Sequence, residues 1–259
     1  MPFTQKLLLY IPVIPLTILI IIAAVGASML GLFIVWRFVP RKVLKMHNDL
    51  TGAIFGAVAL AYTVLLAFVV VVSWQNFDRA KSYVEREANC LVSLHRSSAA
   101  FSAPFREELR GLIKDYTSIV VNKEWDMLAR GQESMEAREA LRKIWGLYTN
   151  YEPKTEKEKI FFSESIPKLY DLREARRIRI VESRDGLQPV MWFILAFGAL
   201  ATISFTFFFG SDIFSAHVVM ASILAVVIAL ILLAVLCFEF PFTGGIKIEP
   251  GVFREIINF

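Results

Sequence analysis

The segment LYDLREARRIRIVESRDG, residues 169–186, carries Arg173, Arg176, Arg177, Arg179 and Arg184 immediately before an apolar run. Fixed positive charge at this density can pair with carboxylates, hold anionic lipid headgroups or draw anions towards a pore. Glu85 and Glu87 are the carboxylates that a helical reading brings closest. If the first and last helices of the polar block run antiparallel, these two lie level with Arg173, Arg176 and Arg177. The common height is roughly 17–22 Å from the bilayer end, at 1.5 Å rise per residue. Those three arginines are therefore assigned to bracing ion pairs. Arg179 and Arg184 fall nearer the bilayer and are candidates for lipid contact, or for a positive vestibule around a symmetric pore.

The remaining chemistry is sparse. His47, His95 and His217 stand in no nucleophile, phosphate-loop or zinc pattern, and Cys90 and Cys237 give neither a disulfide framework nor metal-ligand spacing. No catalysis, cofactor or metal is expected. Asn48, between His47 and Asp49, is a short polar side chain suited to capping the start of a helix. Beyond it, Gly52, Gly56, Ala59, Thr63 and Ala67 recur every three or four residues, which sets a stripe of small side chains along one helix face. Such a stripe serves either close helix packing or the lining of a pore between symmetry mates. No charge interrupts residues 51–73 or the third apolar run, which disfavours a proton relay or coupled transport and leaves passive permeation open.

These residues must be positioned by membrane helices. The 259 residues have a net charge of +4, and 56% are hydrophobic, too apolar for an ordinary soluble domain. Four windows reach the roughly 20 apolar residues that span a bilayer: Leu7–Trp36, Thr51–Ser73, Val190–Gly210 and Ile213–Cys237. The first is a retained anchor rather than a signal peptide, with a bend near Pro12 and Pro15. Residues 74–188 hold 21 of the 28 Lys and Arg and 19 of the 24 Asp and Glu. Their apolar residues repeat at three- and four-residue steps, as in Val84, Leu91 and Leu94, or Leu109, Ile113 and Tyr116, which predicts helices throughout. Thr155 with Glu158 forms a capping-box pattern, and Gly186 with Pro189 punctuates the start of the third span. The expected fold is an all-α integral membrane protein of four transmembrane helices, with a helical bundle inserted between the second and third. Its parts are 1–73, a transmembrane pair; 74–188, a charged helical domain; 189–237, a transmembrane hairpin; and 238–259, a non-helical tail. Basic residues flank both the short loop after the first span and the helical domain, so the positive-inside rule does not choose a side for that domain.

Several phrases in order resemble one family: HNDLTGAIFGAVALAYTVLLAFVVVVSWQNFDRAKSYVEREANCLVSLHR, REELRGLIKDYTSIVVNKEW, LYDLREARRIR and FEFPFTGGIKIEPGVF. The sequence is similar to the bestrophin-like family of bacterial membrane proteins, in which Asn48, Glu124, Trp125, Pro241, Phe242 and Gly244 fall on motif positions of unknown role. The resemblance implies a bacterial cell membrane. It also implies an architecture related to that of bestrophins, pentameric chloride-permeable channels. Neither the phenylalanine-lined neck nor the calcium-clasp acidic run of true bestrophins has a match here. The expected function is a homo-oligomeric passive ion channel, anion-leaning, with the second span lining the pore. The alternative is a non-conducting membrane sensor or scaffold whose helical domain binds a partner. Expected partners are membrane lipid, further copies of the chain and inorganic ions such as chloride, and no nucleic acid.

Overall fold

The computed structural model describes residues 1–257, and among these every regular element is helical. In chain order the helices are α1 (Phe3–Tyr10), α2 (Val13–Phe38), α3 (Arg41–Met46), α4 (Asn48–Ser97), α5 (Ala103–Ile119), α6 (Trp125–Leu128), α7 (Met135–Thr149), α8 (Glu156–Glu182), α9 (Pro189–Thr206), α10 (Phe214–Glu239) and α11 (Gly251–Ile257). Four of them, α2, α4, α9 and α10, are long and apolar enough to cross a membrane. The chain forms two compact units. One comprises Ile11–Gln75 and Gly186–Glu239, the other Met1–Tyr10, Asn76–Asp185 and the tail from Phe240.

In the membrane unit, α2 packs along α10. Tyr62, Leu66 and Val69 of α4 form a buried cluster with Leu195 and Ala199 of α9 and with Ile228 and Val235 of α10. Gly198 exists for this contact, since a Cβ there would lie 2.4 Å from the Tyr62 ring. The Tyr62 hydroxyl donates to the Leu195 carbonyl at 2.9 Å, so the ring cannot swing aside without losing that bond.

The second unit is a helical bundle whose core combines Ala80, Val84, Leu91 and Leu94 of α4 with Leu109, Ile113 and Tyr116 of α5, Leu141, Ile144 and Tyr148 of α7, and Leu169 and Leu172 of α8. Helix α8 begins at the expected capping box: Thr155 accepts from the Glu158 amide, and Glu158 accepts from the Thr155 amide. A single π turn at Val120–Glu124 separates α5 from α6. The wider turn brings both Glu124 and Trp125 into the core.

Two segments differ from the sequence reading. The window Leu7–Trp36 is not one element: the chain breaks at Ile11–Pro12, because the residue before a proline is driven out of the helical region. Helix α1 therefore belongs to the bundle, where Gln5 donates to the Ser183 carbonyl at 3.2 Å and to Thr243 Oγ1 at 3.3 Å. The tail 238–259, expected to be non-helical, contains α11; its last two residues lie outside the described residues. It turns back at Gly244, whose φ of +88° suits glycine, and buries Phe253 and Ile256 in the bundle core.

Candidate functional site

In the bundle, the charged residues that matter lie on apolar stripes. On α4 the core positions Val84, Leu91 and Leu94 have Glu87 in phase with them. On α5 and its π turn, Ile113, Tyr116 and Val120 lead to Glu124. On α8, Leu169 and Leu172 lead at the same three- and four-residue steps to Arg176 and Arg179. Helix periodicity thus delivers two carboxylates and two guanidiniums to one buried place.

Arg179 is fully buried and grips Glu87 bidentately, with Nε at 2.7 Å from one carboxylate oxygen and Nη2 at 2.9 Å from the other. The same Nη2 also donates to Glu124 at 3.3 Å. Arg176 donates to the other oxygen of Glu124 at 2.7 Å and to the Ser134 carbonyl at 3.3 Å. Tyr116 donates its hydroxyl to Glu87 at 2.5 Å. The guanidinium carbon of Arg179 also lies 5.3 Å from the Trp125 ring centre and 5.9 Å from that of Phe253. Two negative and two positive charges cancel, as buried ions must if their desolvation is to be offset. Burial alone would pull the Arg179 guanidinium down, but Glu87 and Glu124 hold it above its ordinary value. Burial, then the Glu87 charge, pushes the Tyr116 hydroxyl well above the usual phenol range.

These pairs correct the expected assignments. Glu85 is exposed and makes no ion pair among the described residues; Glu87 pairs with Arg179, not with Arg173, Arg176 or Arg177. Arg177 pairs with Glu174 on its own helix, and Arg173 makes no ion pair among the described residues. Arg179, expected near lipid, is instead the centre of the bundle. Level-matching along two helices fixes height but not rotation, and 100° per residue separates Arg176 and Arg179 from Arg177. Arg184 is exposed, as a lipid or vestibule residue requires.

The motif residues acquire structural partners. The Trp125 indole donates to the Ile248 carbonyl at 3.0 Å and meets Phe242 and Phe253 edge-on, so the tail is clasped to the π turn. Ile248 in turn donates its amide to the Pro241 carbonyl at 2.8 Å. Asn48 does not cap α4. Its side chain donates to the Gly210 carbonyl at 3.1 Å and accepts from the Gly210 amide at 2.7 Å, tying the start of α4 to the α9–α10 turn. Gly210 has no room for a side chain, because a Cβ would lie 2.5 Å from the Lys45 backbone nitrogen. Glu239, which the sequence reading did not single out, is buried at the end of α10 and accepts from the Leu187 amide at 3.0 Å and the Trp192 indole at 3.1 Å. A lone acidic residue closing a 26-residue apolar helix was the available signal.

The small-residue stripe remains open. Gly56, Thr63 and Ala67 are exposed and nothing lies within 4 Å of a Cβ built on Gly56, whereas Gly52 and Ala59 are half-buried. At 100° per residue the three exposed members lie about 110° round α4 from the face that Tyr62, Leu66 and Val69 bury. Packing among the described residues therefore does not account for those three.

The bestrophin-like domain model matches residues 22–253. The chain belongs to the bestrophin-like family. Crystal structures of a bacterial bestrophin homologue from Klebsiella pneumoniae share this fold. One solved by zinc phasing superposes with a TM-score of 0.71 at 12% identity, covering 92% of this chain and 96% of the homologue. A point variant of that homologue gives a TM-score of 0.72 at 12% identity with the same coverage. No curated protein sequence matches this bestrophin-like chain. Family and fold together with the four apolar helices make it an integral membrane protein.

Proposed function

We propose that this bestrophin-like protein is a homo-oligomeric passive ion channel, anion-leaning, in which α4 lines the pore. The observation that carries the proposal is the open face of Gly56, Thr63 and Ala67, which none of the described residues covers. Copies of the chain arranged round an axis would bring these faces together, leaving a narrow path between small side chains. The resemblance to bestrophins, pentameric chloride-permeable channels, supports this arrangement. The lean towards anions rests on the exposed Arg173, Arg177 and Arg184 and on the net charge of +4.

The test is ion flux from liposomes carrying the purified protein, with chloride and potassium gradients imposed separately. Selective chloride flux is expected. Thr63→Trp and Ala67→Leu should change conductance at least severalfold while leaving the oligomer's mass in detergent unchanged. Unaltered flux through well-assembled variants would remove α4 from the pore. A stable oligomer that passes no ion at any voltage or pH would favour the sensor or scaffold reading.

A further inference from the structure

The faces of α7 and α8 enclose a groove of about 610 Å³ on the bundle. From α8 and the turn after it come Arg173, Arg176, Arg177 and Arg184, spaced by three, one and seven residues along one side of the helix. From α7 come Arg138, Arg142 and the indole of Trp145. One carboxylate, Glu133, lines the groove, and it is paired with Arg138. Arg142 and Arg177 each pair with a glutamate one turn away on their own helices, in exposed pairs that leave other donors of the guanidinium fork free. Arg173 and Arg184 make no ion pair among the described residues.

The groove wall holds a second, independent feature. Arg176 is 6% exposed and its Nε–H has no acceptor among the described residues, although its other end is engaged by Glu124 and Ser134. The Trp145 Nε1–H is likewise buried without an acceptor. Buried donors are almost always satisfied, and two residues that line the groove each carry a donor for which the described residues supply no acceptor. Arginine and indole supply donors only, so the complementary ligand is acceptor-rich and anionic. Arg173 and Arg184 are eleven residues apart, roughly 16 Å along the helix, more than a monatomic ion can bridge. Planar guanidinium forks match the oxygens of a phosphoryl group.

We propose that this groove binds a phosphoryl-bearing polyanion, with Arg173, Arg177 and Arg184 meeting its phosphates and the Arg176 and Trp145 N–H groups donating to two of its oxygens. The phosphate comes either from a soluble ester or from a lipid headgroup. The site does not depend on conduction, and its test reads no flux.

The experiment is isothermal titration of inorganic pyrophosphate into the detergent-purified full chain, at constant ionic strength set with chloride. A parallel titration uses a short-chain phosphatidic acid against a short-chain phosphatidylcholine. One pyrophosphate per chain is expected, with affinity falling at least tenfold in Arg173→Gln/Arg184→Gln and several-fold in Trp145→Phe, which keeps the ring and loses the donor. Arg106→Gln, outside the groove, should leave binding unchanged. Both groove arginines are exposed, so their loss leaves the core intact. Binding of phosphatidic acid but not pyrophosphate, with the same sensitivity to the variants, would assign the lipid source. Absence of binding in both arms, or binding that the groove variants do not weaken, overturns the proposal. So does a groove variant that alters only the mass of the oligomer, because the arginines would then be a contact between copies.

Discussion

Arg179 and Glu87 illustrate how a charged residue becomes a structural one. Neither can leave its partner without stranding a charge in the core, so single neutralisation is far more damaging than joint replacement. Glu87→Gln or Arg179→Met should each destabilise the bundle by about 3–5 kcal/mol, whereas the double change to Met at both positions should recover a large part of the loss. Thermal unfolding of the solubilised protein measures this, and additive losses would mean that the two do not act as a pair. Glu158 gives a pH-dependent counterpart. The Lys154 amide foremost, with the Thr155 amide, outweighs the effect of burial and holds its carboxyl below the usual range. A depressed carboxyl contributes stability that is present above its unfolded pKa and lost as pH falls through the folded one. Glu158→Gln should therefore lower Tm near neutrality by an amount that shrinks below about pH 4. A Tm difference that stays constant across that range would exclude the linkage.

Helix α4 carries both roles along its length: an apolar half with one packed face and one open face, and a polar half with Glu87 on its core stripe. What fixes its rotation in the membrane unit is Tyr62 against Gly198, together with the Asn48 bonds to Gly210. Gly198→Ala should overpack the α4–α9 contact and cost about 1–3 kcal/mol. In a Tyr62→Leu background the same alanine should cost much less, since the ring it strikes is gone. Equal losses in the two backgrounds, read by thermal unfolding, would show that the ring contact does not set the penalty. Turning α4 in this way would also misdirect Thr63 and Ala67, so any channel should lose conductance along with stability.

At the scale of the molecule, residues far apart in sequence complete one compact unit: α1, the π turn and the tail meet through Gln5, Trp125, Thr243 and Phe253. Phe253 is fully buried beside Trp125, close to the Arg179 network. Phe253→Ala should cost about 3–5 kcal/mol. Its effect on hydrogen exchange should concentrate in residues 76–185, with α9 and α10 little changed, because the membrane unit has its own buried cluster. Equal loss of protection in both units would show that they unfold as one.

The sequence alone determined what depends on short-range periodicity and solvent. Apolar length specified four membrane helices, charge density marked the inserted bundle, and Thr155 with Glu158 announced the start of α8. The same periodicity held the clue to the buried network, since Glu87, Glu124, Arg176 and Arg179 all fall on apolar stripes. Matching heights along the helices passed over it. Only tertiary structure decided which arginine met which glutamate, because partner choice depends on the rotation and register of helices that touch across 52 to 92 residues of chain. It also decided that Asn48 binds a distant turn and that the tail closes on Trp125. A side chain's hydrogen-bonding capacity is local, but the group that satisfies it is supplied by whatever packing brings near.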